Sequence, residues 1–484
     1  MNANRPASLQ YKTAECDKVP NKIKVIYGIG GVSENLMANA VHQLANPIFN
    51  IMLGINPAFI GAVLAAGRLI DAFVDPIVGN FSDNFRSRFG RRRPLMMLGA
   101  VVAGLAFWLM FMFPRGLGGT ACLVWFSAFS LIYFPAFALY SIPKGALGIE
   151  LTRDYHERTR LQGVAALLVP VGGIAAVWLF AITKLDIFPD SIAGARWTGF
   201  AFFVLVSLIA LYVVHSIKET GAVTVARQRK IAFRESLALT VKCRPLLLLG
   251  GATCFILLAF FTVYSLGLYV NIYHVHGGNE KTAAILHGAI STAYQIASIA
   301  GAPLISLLAL RFGKKNTLIG SLFLVLAGTL SKWACFTPSA PWLMFVPMIL
   351  MGAGMSGFWV LLSAMVADVC DYDELKNGYR REAMIGAVLS WVSKMGGSVA
   401  YFISGLVLVV TGFNKDLGGA QAPETILWMR ILFSFFPVMF ICLAIGCVLR
   451  FPITAETAYA TRKAIAEREA ARQDGDDRVQ KNPE

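Results

Sequence analysis

Long apolar stretches alternate with short polar segments along most of the chain. A helix that crosses a bilayer needs about 20 mostly apolar residues. Twelve segments satisfy this requirement, and they predict twelve membrane-spanning helices. The predicted spans lie near residues 26–54, 58–81, 94–114, 119–148, 161–183, 197–216, 245–273, 283–310, 316–335, 342–369, 383–412 and 425–449. The first and tenth spans are the least hydrophobic because they are rich in Gly, Ser and Asn, which favours a water-lined face for them.

The basic residues outside the spans are divided very unevenly between the two sides. An even number of spans places both termini on one side, and 33 of the 43 Lys and Arg residues fall there. About six fall on the other side, namely Arg115, Lys184, Arg196, Lys281, Lys332 and Lys415. Loops rich in Lys and Arg remain cytoplasmic. We therefore expect a multi-pass protein of the inner (cytoplasmic) membrane, with both termini cytoplasmic. The net charge of +15 then reflects topology, and no nucleic-acid partner is expected.

The longest internal polar segment divides the predicted helices into two groups of six. The expected organisation is a cytoplasmic N-terminal segment (1–25), an N-terminal bundle (26–216), a central cytoplasmic loop (217–244), a C-terminal bundle (245–450) and a cytoplasmic tail (451–484). The triplet Arg-Phe-Gly precedes the third span of each half, at 88–90 and at 311–313. Duplicated halves are typical of secondary transporters, which bind substrate between them near the midplane. The alternative is that both loops are basic for topological reasons alone.

Charged residues inside a membrane are costly and usually functional. The second span carries Arg68, Asp71 and Asp75. The two aspartates are four residues apart and therefore share one helix face. Such a pair suits a sodium ion, which takes oxygen ligands, or a proton, because neighbouring carboxylates repel each other. Arg68 can neutralise the pair when no cation is bound. The alternative is an ion-pair cluster that only fixes helix packing.

Three further groups give the interior polar character. Lys394 lies mid-span in the eleventh helix, where it can pair with either aspartate, contact substrate or form a structural salt bridge. Lys144 follows a proline in the fourth span, and it can attract an anionic substrate or extend to the cytoplasmic end. Glu34 and Asn35 give the first span a polar face.

None of the nucleophile, nucleotide-binding or metal-binding motifs of enzymes accompanies these charges. We therefore expect no catalytic residues, no enzyme activity and no cofactor. The coupling ion is expected to be H+ or Na+, with sodium at Asp71 and Asp75 as the only metal considered.

Three blocks resemble signatures of the glycoside–pentoside–hexuronide:cation symporters, a branch of the major facilitator superfamily. They are RLIDAFVDPIVGNFSDNFRSRFGRRRP (68–94), IPKGALGIELTRDYHERTRLQG (142–163) and MVADVCDYDELKNGYRREAMIGAVLSWVSKMGG (365–397). The blocks lie in both halves and keep the family's order. The resemblance implies an all-α membrane protein with twelve transmembrane helices in two pseudo-symmetric six-helix bundles.

The resemblance also implies roles for individual residues. Asp71 and Asp75 match the family's acidic cation pair, Lys394 its eleventh-span lysine, and Trp359 an aromatic residue beside the sugar site of the melibiose carrier. Charge networks that close an inner gate are implied for Asp83, Arg88, Arg91, Arg92, Arg93, Glu150, Arg158, Asp368 and Asp371.

This chain departs from the melibiose carrier at the sugar site. Asn35, Ser141, Gly145 and Ala166 replace that carrier's charged and aromatic sugar-binding residues, and Lys144 replaces an aromatic. The candidate substrate-binding residues are accordingly Glu34, Asn35, Ser141, Lys144, Trp359 and Lys394. A galactoside is disfavoured, and an acidic sugar, either a uronide or a sulfonated sugar, is favoured.

The cation site also departs from sodium-using relatives. Val74 and Ala138 offer no side-chain oxygen where those relatives can supply one, which favours proton coupling.

These observations favour a cation-coupled sugar or glycoside symporter that works by alternating access as a monomer in the lipid bilayer. One alternative is a transporter of lysolipids or other amphipathic solutes with the same fold. A second is a non-transporting sugar sensor, although a sensor usually has a larger output domain than the tail 451–484.

Overall fold

The computed structural model describes residues 18–152, 155–217, 243–377, 382–461, 463–465 and 467–468. These residues form helices and connecting loops without strands. The main helices are α1 (Asn21–Ala45), α2 (Pro57–Asn84), α3 (Arg93–Met110), α4 (Gly119–Glu150), α5 (Tyr155–Thr183), α6 (Ser191–Ser216), α7 (Arg244–Phe261), α8 (Glu280–Phe312), α9 (Lys314–Cys335), α10 (Phe345–Asn377), α11 (Glu382–Val410) and α12 (Pro423–Leu449). Shorter helical segments extend three of the passes, at Asn46–Met52, at Tyr264–Tyr269 with Val270–Val275, and at Pro341–Met344.

Each predicted span overlaps one of these twelve passes. Eleven helices in the described part of the chain are long and apolar enough to cross a membrane. The exception is α1, because buried polar side chains such as Ser33, His42 and Gln43 lower its hydropathy. The expectation that the tenth span is among the least hydrophobic is wrong, since its pass is more apolar than several others.

Helix packing repeats between the two halves of the chain. In the first half, α1 packs on α5 and α6, α2 on α4, and α3 on α4 and α6. The second half repeats this packing with every helix number higher by six. There, α7 packs on α11 and α12, α8 on α10, and α9 on α10 and α12. The fold is therefore two pseudo-symmetric six-helix bundles. The segment boundaries expected from the sequence remain predictions, because 1–17, 218–242 and 469–484 lie outside the described residues.

The repeated Arg-Phe-Gly triplet has a structural counterpart in each bundle. Arg92, at the start of α3, donates hydrogen bonds of 3.0 and 2.7 Å to the two carboxylate oxygens of Glu150 at the end of α4. Lys314, at the start of α9, forms a 2.5 Å ion pair with Asp368 in α10. The pairs α3–α4 and α9–α10 are equivalent, so in each bundle a basic residue that follows the triplet binds an acidic residue of the equivalent neighbouring helix. This favours duplication over a purely topological origin of the two loops.

Two helix pairs join the bundles, α2 with α11 and α5 with α8. The same symmetry relates these two pairs, because α8 is the equivalent of α2 and α11 is the equivalent of α5. The α2–α11 contact depends on glycine. A Cβ on Gly61 would lie 2.8 Å from the carbonyl oxygen of Tyr401, and one on Gly405 would lie 2.5 Å from that of Pro57. Any larger side chain would push these two backbones apart.

The bundles are held together unevenly along the membrane normal. We call the end that carries the α2–α3 and α8–α9 loops the basic face and the other end the opposite face. Near the opposite face, Asn46 donates a 2.8 Å hydrogen bond to Ser265, and Tyr269 donates one to Asn50. Ion pairs Lys184–Glu280 and Lys281–Asp186 also cross there.

Among described residues, the hydrogen bonds, ion pairs and ring contacts that join the bundles extend from the opposite face to the Lys394–Asp75 pair, which lies slightly past the middle of α2 and α11 towards the basic face. The structure is therefore closed at the opposite face.

Candidate functional site

Four sequence-predicted charged residues come together where α2 meets α11. Lys394 of α11 forms an ion pair with Asp75 of α2, and its Nζ also lies 3.4 Å from the backbone oxygen of Asp71. Arg68 Nη1 is 3.7 Å from Asp71 Oδ2. The three α2 residues fall on one helix face because their spacings are three and four. We refer to Arg68, Asp71, Asp75 and Lys394 as the charge cluster.

The charge cluster contains two acidic and two basic side chains and is formally neutral. Asp71 is nevertheless incompletely satisfied, since it is only 3% exposed and its Oδ1 accepts no hydrogen bond. A buried acceptor without a donor is costly. A bound proton or cation would remove that cost. In the described part of the chain, no group of three or more His, Cys, Asp or Glu side chains could hold a metal ion.

A cavity of about 290 Å³ lies between α1, α5 and the C-terminal bundle, and its lining residue Phe261 is linked to the charge cluster through Tyr401. Its polar lining includes Asn39, Gln43, Tyr294, Gln295, Lys332 and Trp359. Trp359 lines the cavity and is 47% exposed, so part of the indole is available to a solute. An aromatic face packs well against the apolar face of a sugar ring. The predicted position of Trp359 beside a substrate is consistent with this geometry.

The other substrate candidates of the N-terminal bundle lie outside this cavity lining. Lys144 is buried and forms a 2.9 Å ion pair with Glu34, and its Nζ lies 4.6 Å from the centroid of the Tyr27 ring. Ser141 is half-buried one turn earlier on α4. Asn35 accepts a 3.0 Å hydrogen bond from Asn39, which does line the cavity. The substrate roles of these residues remain predictions.

Tyr401 of α11 lies between the charge cluster and the cavity. The His42 ring stacks on it with centroids 4.2 Å apart, and the Arg68 guanidinium carbon is 5.9 Å from its centroid. Its other neighbour, Phe261, is 5.0 Å away and lines the cavity. The sequence analysis did not identify Tyr401 or His42 as part of the site. His42 could have been noticed, because it is an ionisable residue within a polar span, whereas nothing in the sequence distinguishes a single Tyr in an apolar helix.

Several inner-gate candidates make contacts within their own bundle. Besides the Glu150 and Asp368 pairs, Arg91 also contacts Glu150, and Arg93 Nε donates a 2.5 Å hydrogen bond to the Val214 carbonyl. Arg158 donates a 3.3 Å hydrogen bond to the carbonyl of Thr152.

Arg88 and Asp371 are two further gate candidates that the structure places. The Arg88 guanidinium lies over the adjacent Phe89 ring, and Asp371 is half-buried on α10. The side chain of Asp83 lies outside the described set. A gating role for all nine residues stays a prediction.

Lys332 is a further residue that sequence reasoning misplaced. Its position near the end of a predicted span put it among the basic residues of the outer side. The structure instead buries it to 4% exposure in the wall of the cavity.

Residues 26–455 match the sequence model of a family described as MFS/sugar transport protein. The chain belongs to this family. It is therefore a multi-pass membrane transporter, and the family, together with the fold, confirms the all-α major facilitator architecture expected from the sequence.

Individual relatives in this family cover nearly the whole chain. A glucuronide carrier protein homolog of Escherichia coli (strain K12) is 25% identical, over 88% of this chain and 92% of its own. A putative glycoside/cation symporter of the same strain is 23% identical, over 86% and 89%. Among solved structures, a bacterial homolog of the human lysosomal transporter Spinster, inward-facing and unoccupied, superimposes with a TM-score of 0.65 at 14% identity, covering 90% of this chain and 97% of that one.

Proposed function

We propose that the protein is a cation-coupled symporter of a sugar or glycoside in the cytoplasmic membrane, working by alternating access as a monomer. The observation that carries this proposal is the charge cluster at the α2–α11 contact, next to a cavity between the bundles. The basic face is cytoplasmic in this proposal, by the positive-inside rule. The structure then corresponds to an inward-facing state.

The charge cluster gives a physical basis for coupling. Lys394 is paired with Asp75 in this state, and that pair ties α2 to α11. A cation bound by Asp71 and Asp75 competes with Lys394 for the same carboxylates. Its arrival therefore weakens an ion pair between the bundles and favours their rearrangement. Because Tyr401 contacts both sites through Arg68 and Phe261, the two binding events share one packed element.

A proton suits this cluster better than sodium. Sodium needs several oxygen ligands, and neither Val74 nor Ala138 supplies one from its side chain. A proton needs a single carboxylate, and the unpartnered Oδ1 of Asp71 offers one. The cavity, at about 290 Å³, is close to the lower end of the ~300–1,000 Å³ typical of small-molecule sites. This size favours a monosaccharide or small glycoside over a lysolipid.

Uptake into proteoliposomes tests the proposal. Purified protein is reconstituted, and accumulation of radiolabelled glycosides is followed under an imposed pH gradient or an imposed sodium gradient. We expect an inside-alkaline gradient to drive accumulation without sodium. Stimulation by sodium at fixed pH would overturn proton coupling. Equilibration without accumulation under both gradients would overturn symport, and binding without any uptake would indicate a sensor.

A further inference from the structure

Lys332 is a buried cation without an acidic partner. It lies near the end of α9, and its Nζ is 4.3 Å from the centroid of the Phe433 ring on α12. In the part of the chain that the structure describes, no carboxylate lies within 4.0 Å of this ammonium. Transfer of an ammonium out of water is strongly unfavourable unless it is paired. One aromatic face offsets only part of that cost, about 2 kcal/mol when desolvated.

The other lysines buried in the described bundles differ in this respect, since Lys24 is paired with Glu157 and Lys144 with Glu34. The half-buried Lys184 and Lys394 are paired as well, with Glu280 and Asp75. Each of these charges is balanced within the protein, whereas that of Lys332 is not.

While Lys332 is protonated, the cavity carries a positive charge. Among the described residues that line it there is no Asp or Glu, and Lys332 is their single Lys or Arg. The charge cluster next to it is formally neutral and does not compensate for this charge. An anion that enters the cavity would be attracted to the ammonium and would lift most of its desolvation penalty.

We propose that Lys332 binds the anionic group of the substrate, and that the substrate is a small acidic sugar carrying one carboxylate or sulfonate. This inference rests on the proposed function, and it deepens it by assigning the substrate's charge to one residue. Lys332 lies in the last turn of α9, near the opposite face. That face is the closed end of the structure in this state.

The rest of the lining suits the remainder of such a molecule. The amides of Asn39, Gln43 and Gln295 can exchange hydrogen bonds with sugar hydroxyls, and the Trp359 ring can cover an apolar sugar face. This assignment also replaces an expectation from the sequence. Lys144 was the cation expected to attract an acidic sugar, but Glu34 already neutralises it.

The test compares ligands that differ only at C6 of the sugar. Binding of methyl glucuronide, methyl sulfoquinovoside and methyl glucoside is measured by thermal shift and by calorimetry on the full-length protein. The variants are Lys332→Gln, Lys332→Arg and, as a matched control, Lys463→Gln, whose side chain is 79% exposed in the tail. The two acidic ligands distinguish a carboxylate-selective site from a sulfonate-selective one.

We expect the wild type and Lys463→Gln to prefer at least one acidic ligand over the glucoside. Lys332→Gln should weaken that ligand about 30-fold or more, as loss of a buried charge pair does, and leave the glucoside unchanged. Lys332→Arg should restore part of the affinity. Equal binding of acidic and neutral ligands by the wild type, or an unaltered preference in Lys332→Gln, would overturn the inference.

Two further measurements separate rival explanations. If Lys332 only clamps Phe433, Lys332→Gln should lower the ligand-free Tm and keep the ligand preference, which would overturn the inference. Removal of an uncompensated buried charge should instead leave that Tm unchanged or raise it. If proteoliposomes accumulate the neutral glucoside and show no preference for acidic sugars, the protein is a symporter but the inference about Lys332 is wrong. If acidic sugars bind in a Lys332-dependent way but no gradient drives their uptake, the inference holds and the proposed coupling is wrong.

Discussion

The ammonium of Lys394 pairs with the carboxylate of Asp75, and this contact lies nearer the basic face than the other described ion pairs between the bundles. The two residues are far apart in the sequence and belong to different bundles. Their pair is both a mechanical tie between α2 and α11 and the occupant of a carboxylate that a coupling cation would use. Binding of the cation and the Lys394–Asp75 tie between the bundles are thus alternatives at one carboxylate.

Asp75→Asn removes that carboxylate with little change in side-chain volume. We expect concentrative uptake in proteoliposomes to be abolished, so that the internal substrate concentration does not exceed the external one under any imposed gradient. Membrane insertion and the yield of monodisperse protein should be normal. Asp416→Asn, an exposed aspartate in the last opposite-face loop, is the control and should accumulate substrate like the wild type. Normal accumulation by Asp75→Asn would contradict the coupling mechanism.

The ion pairs at the opposite face should differ in their contribution to closure. The side chains of Lys184 and Glu280 are 13% and 30% exposed, whereas those of Lys281 and Asp186 are 49% and 85% exposed. Exposed ion pairs contribute only about 0–1 kcal/mol. Glu280→Gln should therefore shift the population towards the outward-open state more than Asp186→Asn does.

Spin labels at Ser87→Cys and Asn316→Cys, both exposed at the basic face on different bundles, report this shift when the native cysteines are replaced. The inter-label distance should shorten in Glu280→Gln as the basic face closes. Equal distance distributions for the two ion-pair variants would show that burial does not decide the contribution of these pairs.

The equivalent ion pairs of the two bundles should respond differently to exchange of Arg and Lys. Arg92 binds Glu150 through two atoms of its guanidinium, at 3.0 and 2.7 Å. A lysine cannot reproduce this fork. Arg92→Lys should lower Tm measurably, whereas Lys314→Arg should preserve the single-point contact with Asp368 and leave Tm nearly unchanged. A similar loss in both variants would indicate that the fork geometry is unimportant.

Glu157 at the basic end of α5 anchors the start of the described chain. It accepts a 3.0 Å hydrogen bond from the backbone N–H of Val19 and pairs with Lys24 Nζ at 2.6 Å. Burial by itself raises the pKa of Glu157, but the bonds from Lys24 and Val19 outweigh it and leave the pKa below its ordinary value. A depressed carboxyl pKa contributes stability above the unfolded-state value, about 4.3, which is lost as the pH falls through the folded-state pKa.

The Tm difference between wild type and Glu157→Gln should therefore be constant between pH 5 and 8 and should shrink below about pH 4. Glu467→Gln, at a side chain 69% exposed in the tail, should match the wild type throughout. A difference that grows on acidification would mean that the protonated carboxyl is the stabilising form.

Much of the fold could be predicted from the sequence because its determinants are local. Hydropathy over about 20 residues locates a span, and the distribution of Lys and Arg indicates its orientation. The same holds for the spacing of Arg68, Asp71 and Asp75, which places them on one helix face before any tertiary contact is known.

Pairings between distant helices could not be predicted in this way. From the residues alone, Lys394 had three possible partners, Lys144 two possible roles, and Lys332 counted as a loop charge. The structure pairs Lys394 with Asp75 and Lys144 with Glu34, and leaves Lys332 in the cavity without a carboxylate. A buried charge is stable only beside its counter-charge.

The sequence by itself thus determined the number of passes, the duplicated halves, the family signatures and the acidic pair of α2. Tertiary structure alone decided which charges are balanced, which bundle face is closed and which cation borders the cavity. The physical reason is the sequence separation of the residues involved. Hydropathy and helix periodicity can be read from neighbouring residues, whereas a Coulombic contact depends on how helices hundreds of residues apart are packed.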